Sequence, residues 1–304
     1  MRNIRSGLRQ VLAALNGATR RAVKSPLIPR QTPILHLLAA LLLCTPCTSL
    51  ANPAAPPQPP LQTVLDDAAD FHARQEAAAR LGRTLTPPDI DALITLLEQH
   101  TLPALDHDET IAFKDAVCTA LDTQTAYPAK LPAKLIAMYH DKRHATAWRD
   151  YCIQHLNTAC TRIAPDQKPA AYKTFWAATA ETDSTIAGTA LIALADHRQD
   201  SRVDARKLAQ TAARIVADPQ ASSAARTTAL QIAAELGEKQ ILPTARELAS
   251  SHTAERPLRL SAIAAIGALG TPDDIPLLER YAQGNDHLLS SAAKPALQKL
   301  SPNP

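Results

Sequence analysis

Two stretches decide how this chain folds: Arg226-Thr-Thr-Ala229-Leu230-Gln-Ile232-Ala233-Ala-Glu-Leu236-Gly237 and Arg259-Leu-Ser-Ala262-Ile263-Ala-Ala-Ile266-Gly-Ala-Leu269-Gly270. Each opens on an arginine, repeats small and branched apolar residues every three or four positions, and stops at Leu-Gly. That period is helical, and the glycine marks where the helix ends. Weaker copies of the skeleton run through Ala187-x-x-Ala190-Leu191-x-x-Leu194-Ala195, Ala77 to Gly82, Ala116 to Asp122 and Cys152 to Asn157. The residue after the last apolar position then falls at 82, 122, 157, 195, 237 and 270, so the steps are 40, 35, 38, 42 and 33 residues. A period of roughly 37 residues accommodates two helices and two short turns.

The helix that follows each such stretch has its own start signal. Thr86-Pro87-Pro88-Asp89 and Thr271-Pro272-Asp273-Asp274 both set a threonine as cap, a proline at the first helical position and an aspartate at the positive helix end. A helix pair with apolar residues on more than one side cannot bury itself and must stack on its neighbours. The expected fold is all-α, a solenoid of about six to seven helical hairpins over residues 61–304, with alanines letting the helix axes approach closely.

Arg259 to Leu278, and Arg226 to Leu248 after it, resemble HEAT repeats of the short bacterial kind also found in relatives of bilin lyases. The resemblance implies a right-handed α-solenoid in which first helices form a convex face and second helices line a concave one. Iron-binding members of that family repeat His-Glu dipeptides, and none occurs here. The resemblance therefore points to a noncatalytic, protein-binding scaffold.

Composition narrows the field from the other side. Ten aromatic residues and eight glycines in 304 residues are poor material for a β-sandwich, and no G-x-G-x-x-G or phosphate loop ending in G-K-[ST] is present. Seven of the 32 basic residues lie in residues 1–51, which hold no acid, leaving 25 bases against 29 acids beyond them. Nucleic-acid binding loses its electrostatic basis once that segment is removed.

Residues 1–51 read as a signal peptide. A basic lead precedes the apolar run Ile34 to Leu43, and Ser49-Leu50-Ala51 is a small-x-small cleavage signature. The run is about half of the roughly 20 residues a membrane-spanning helix needs. No span is expected after cleavage, and the location implied is export, periplasmic in a Gram-negative source. Leu41-Leu42-Leu43-Cys44 is similar to a lipoprotein box, with Leu43 where a small residue belongs. Thr19 to Lys24 is similar to a twin-arginine export motif. Residues 52–60, with five prolines, form an extended linker.

Chemistry-bearing residues concentrate in the middle of the chain. Seven aromatics (Tyr127, Tyr139, Trp148, Tyr151, Tyr172, Phe175, Trp176) share 50 residues with His140, His144, His155, Cys152 and Cys160. On a helix starting near Lys168, Trp176 points away from the face made by Ala171, Phe175 and Ala178. Tyr172 and Trp176 are thus expected at or near the concave surface. Bases Lys130, Lys134, Lys168, Lys173, Arg206, Lys207, Arg214 and Arg246 outnumber Asp204 and Glu247 on the second helices. The binding residues expected are Lys130, Lys134, Tyr172, Lys173, Trp176 and Lys207, and the partner expected is a protein, with an acidic peptide surface matching the charge. A solvated helix face and larger side chains filling an irregular junction are the plainer readings of the same residues.

No catalytic residue and no cofactor is expected, since no nucleophile elbow or complete ligand set appears. His140 and His144 have metal-ligand spacing with Asp141 beside them, but two histidines at a helix end make no site. Asp106 to Glu109 serve more simply as helix caps. A metal-dependent or enzyme-accessory role centred on residues 118–176, and a purely structural envelope role, are the alternatives. Cys118 and Cys152 occupy near-equivalent places in adjacent units. A disulfide between them is one expectation, and three buried thiols as apolar filler the other.

Overall fold

The computed structural model describes residues 59–301. The chain divides into two units, 1–55 and 56–304. The expected signal peptide, Cys44 and all but the last two residues of the linker lie outside the described residues. Pro60, expected to close the linker, opens a helix instead.

Among the described residues there are helices and no strands. In chain order they are α1 (Pro60–Leu65), α2 (Phe71–Ala79), α3 (Pro87–Glu98), α4 (His107–Asp122), α5 (Leu131–His140), α6 (Thr146–Ala159), α7 (Lys168–Ala178), α8 (Ile186–Asp196), α9 (Ala205–Ala217), α10 (Ser223–Glu235), α11 (Leu242–Ser250), α12 (Arg256–Leu269), α13 (Ile275–Ala282) and α14 (His287–Leu300). The even-numbered helices form a spine in which each packs on the next, from α2 to α14. The odd-numbered helices form a second row, one against the side of each spine helix. The fold is an all-α solenoid.

The helix pairing differs from the sequence expectation in one respect. Each Ala-rich spine helix packs more closely on the helix before it than on the Pro-opened helix after it. The opening arginines supply the reason. Arg226 Nε donates to the Val216 carbonyl at 3.1 Å and Arg259 Nε to the Ala249 carbonyl at 3.4 Å, each ten residues back at the end of the preceding helix. Arg74 does the same to Val64 at 3.2 Å and Arg149 to Tyr139 at 2.7 Å. A guanidinium there satisfies a carbonyl that the helix end would otherwise leave orphaned, a charge-assisted bond of about 1.5–3 kcal/mol. In α14 the position is Ser290, whose hydroxyl donates to the Ala282 carbonyl at 2.7 Å.

Hydrogen bonds between repeats keep the sequence period. Lys130 to Asp91, His155 to Asp115, Tyr139 to Glu181 and Ser222 to the Ser184 carbonyl span 39, 40, 42 and 38 residues. Toward the C-terminus the step shortens to 30 between Gln231 and Ser261 and 28 between Arg246 and Asp274.

The two marker glycines turn out to do different work. Gly237 has φ +78°, a conformation that ends α10 and favours glycine. Gly270 is needed for space, because a Cβ there would lie 2.7 Å from Asp274 Oδ2. That carboxylate accepts the Thr271 N–H at 2.9 Å, the cap expected from Thr-Pro-Asp-Asp. Thr86 and Asp89 form the matching capping box on α3.

Candidate functional site

The expected binding lysines divide into two groups. Lys130 pairs with Asp91 at 2.9 Å and Lys134 with Glu98 at 2.6 Å, so the acids of α3 neutralise the bases of α5. Arg246 is likewise held by Asp274 at 2.6 Å. Helices α7 and α9 are different, carrying Lys168, Lys173, Arg206, Lys207 and Arg214 with no acid inside either helix. Trp176 is half-buried on this face, and Lys207 Nζ stands 4.3 Å from the centre of its ring. Lys173 is exposed. Tyr172 corrects the expectation of a surface aromatic. It is buried at 3% exposure, because its hydroxyl donates to Asp200 at 3.0 Å and its ring packs on Phe175 and His197.

Cys118, Cys152 and Cys160 are free and buried, so the Cys118–Cys152 bridge is not formed. Cys118 instead faces His155 from α4, within a group that also contains Asp122. His155 Nδ1 lies 2.7 Å from Asp122 and Nε2 lies 3.0 Å from Asp115. Burial opposes a charged imidazole here. The Asp115 and Asp122 carboxylates, each hydrogen-bonded to the ring, outweigh it and carry His155 well above the usual histidine range. Burial pushes the Cys118 and Cys152 thiols up. Unreactive thiols and an imidazolium clasped by two carboxylates make this group a clamp between α4 and α6.

A second group sits where the repeat is broken. At the position of the opening arginine, α4 has Thr110, and Lys114 one turn later donates to the Gln99 carbonyl instead. A cavity of about 130 Å³ lies there. Its walls include Thr110, Lys114, His100, His144 and Trp148, together with Leu105 from the loop between α3 and α4. Ala104 in that loop takes φ +59°, a left-handed conformation that is strained for alanine. Lys114 is 1% exposed, and burial lowers its pKa to about 8. Its ammonium stands 5.2 Å from the centre of the Trp148 ring. Trp148 is itself 1% exposed, and its Nε1 has no hydrogen-bond partner.

His144 does not join His140 in the pair that their spacing offers. It lies against His100, with ring centres 4.5 Å apart, and burial followed by the neighbouring Lys114 lowers its pKa to about 4. His100 Nε2 is 3.0 Å from Asp141. His100, Asp141 and His144 thus bring three potential ligand atoms within 4.8 Å of one another. Both oxygens of Asp141 are also held by Arg143, at 2.9 and 2.8 Å, which competes with any cation for them. Asp106 and Glu109 form the expected capping box on α4.

Residues 214–298 match the family model described as HEAT repeats, and this stretch of the chain is an array of HEAT repeats. No curated protein matches the chain. Among solved structures, human deoxyhypusine hydroxylase in complex with glycerol is similar at 15% identity, over 79% of this chain and 94% of that one, with a TM-score of 0.30. A likeness that loose bears on neither fold nor activity. Among the described residues, no helix is long and apolar enough to cross a membrane.

Proposed function

We propose that this chain is an exported, noncatalytic HEAT-repeat scaffold that binds a protein partner through the exposed face of α7 and α9. One observation carries the reading: two consecutive helices of the second row hold five bases and no acid, around a half-buried tryptophan. A tryptophan with one edge available anchors a partner well, and unneutralised bases beside it favour an acidic peptide surface. Lys173, Trp176 and Lys207 are the contacts. Lys130 and Lys134, already matched by Asp91 and Glu98, stand at the margin.

The test is an acidic peptide library displayed against the full chain, with binding measured at rising salt. Selected peptides should lose affinity as salt rises and lose at least about tenfold on Trp176→Ala or Lys173→Glu with Lys207→Glu. Selection of peptides that bind equally well to those variants overturns the assignment. Export is checked separately by the mass of the secreted or periplasmic protein, which should begin at Asn52.

The grouping of His100, Asp141 and His144 favours a second reading, a metal-dependent accessory role in the middle repeats. Metal analysis of the purified protein distinguishes it, since the scaffold reading expects no stoichiometric metal.

A further inference from the structure

The cavity beside α4 holds an electrostatic imbalance that packing alone does not explain. Lys114 is 1% exposed, and none of the ion pairs among the described residues includes it. Its polar neighbours include the Gln99 carbonyl, the face of Trp148, His144 and the Cys152 thiol, which soften a positive charge without cancelling it. Burying an ammonium without a counter-charge is costly. In the same wall the indole N–H of Trp148 is buried with no acceptor. Both residues, each with a donor that lacks a negative partner, are among those lining one cavity of about 130 Å³.

We propose that this cavity is a binding site for a short-chain carboxylate, with the carboxylate held by Lys114 Nζ and Trp148 Nε1 and its alkyl end against Leu105 and Ile111. Size and lining select the class. A cavity of about 150 Å³ takes up benzene, so this one has room for roughly six heavy atoms. Two N–H donors match the two oxygens of a carboxylate. A phosphate or sulfate would bring a second negative charge, and the lining holds no second lysine or arginine to balance it. A cation would meet the Lys114 charge. Water could satisfy the indole N–H but would leave the ammonium uncompensated. Asp106 also lines the cavity, but its carboxylate is engaged as the cap of α4: its Oδ1 accepts the Glu109 N–H at 2.8 Å and its charge meets the positive helix end. His144, kept neutral by burial and by Lys114, adds no competing charge.

One position in the repeat contributes to opening the site. Arg74, Arg149, Arg226 and Arg259 bridge the gap between spine helix and preceding helix in their own units, and Thr110 does not. Thr110→Arg is therefore the substitution that should close the cavity with the side chain four of the other repeats use.

The chain has two tryptophans, so Trp176→Phe makes Trp148 the sole reporter. Full-length Trp176→Phe protein is titrated with sodium acetate, propionate and butyrate at constant ionic strength, with sodium chloride and butylammonium chloride as controls. Butyrate should give a saturable change in Trp148 emission and one bound equivalent by calorimetry, and neither control should. Lys114→Met and, followed by calorimetry, Trp148→Phe should each weaken butyrate at least about tenfold, and Thr110→Arg should abolish binding with helical circular dichroism retained. The proposal is overturned if no carboxylate gives a saturable response, if chloride reproduces it, or if butyrate binds undiminished to folded Lys114→Met protein.

Discussion

The C-terminal repeats and the repeats around α4 and α6 are built from the same hairpin, yet one interior is closed and the other open. In α10 and α12 the opening arginine reaches back to a carbonyl, alanines line the contact, and Gly267 lets the backbone of α14 come so near that a Cβ would lie 2.6 Å from the Ala296 Cα. In α4 the arginine is Thr110, and beside it lie a cavity, a buried lysine and a histidine kept neutral. In α6 the arginine is present but recruited further: Arg149 holds Glu181 at 2.5 Å while Lys142 and the Tyr139 hydroxyl bind the same carboxylate. The contrast teaches that a repeat position can switch from closing a hairpin to hosting polar chemistry without altering the helices around it.

The sharpest way to test that contrast is to remove the arginine on both sides. Arg149→Ala should cost about 3–4 kcal/mol, because it removes charge-assisted bonds to both the Tyr139 carbonyl and Glu181, whereas Arg259→Ala, which gives up a single bond, should cost about 1–2 kcal/mol. Denaturant midpoints of the two variants measure the difference, and equal losses would break the comparison. Next in size is Gly267→Ala, expected to cost about 2–3 kcal/mol by forcing α12 and α14 apart, with no effect on the cavity near Trp148. Thermal unfolding together with Trp148 emission separates those two readouts.

The pH response distinguishes the two histidine groups. The His144 pKa is depressed in the fold, to about 4 from 6.5, so below about pH 6.5 the unfolded chain takes up a proton that the fold refuses. Its contribution to stability is present above pH 6.5 and falls between there and pH 4, by about 2 kcal/mol. His155 is raised, so its contribution is complete below the unfolded pKa and disappears as pH rises through the folded one. Urea unfolding across that range should show the acid-side loss diminished in His144→Phe and kept in His155→Gln. The smallest effect belongs to the surface. Lys134→Ala should change stability by less than about 1 kcal/mol, since both members of its ion pair are over a third exposed.

Much of the fold was legible because its period is local. Arg226, Arg259, the Leu-Gly stops and the Thr-Pro-Asp starts each solve a problem within a few residues, and sequence displays such solutions openly. Which helix an arginine binds was less visible, since its acceptor is a backbone carbonyl with no side-chain signature. The neighbour of His144 was hidden for a similar reason. His140 and His144 have helical spacing, but His140 packs on Tyr139, and the neighbour of His144 is His100, from the preceding repeat. The available signal was the 41-residue separation of His100 and Asp141, about one period, which spacing within a helix cannot reveal. Tyr172 was placed on the surface because nothing in its own helix announces Asp200, 28 residues later.

The bonds that tie one hairpin to the next recur from module to module and make length an adjustable property. Excising one whole module of roughly 37 residues rejoins faces that already fit, while a cut inside a module leaves a guanidinium facing no carbonyl. Duplication and loss of modules can thus lengthen or shorten such a protein in whole steps, and each new copy is free to give up its arginine.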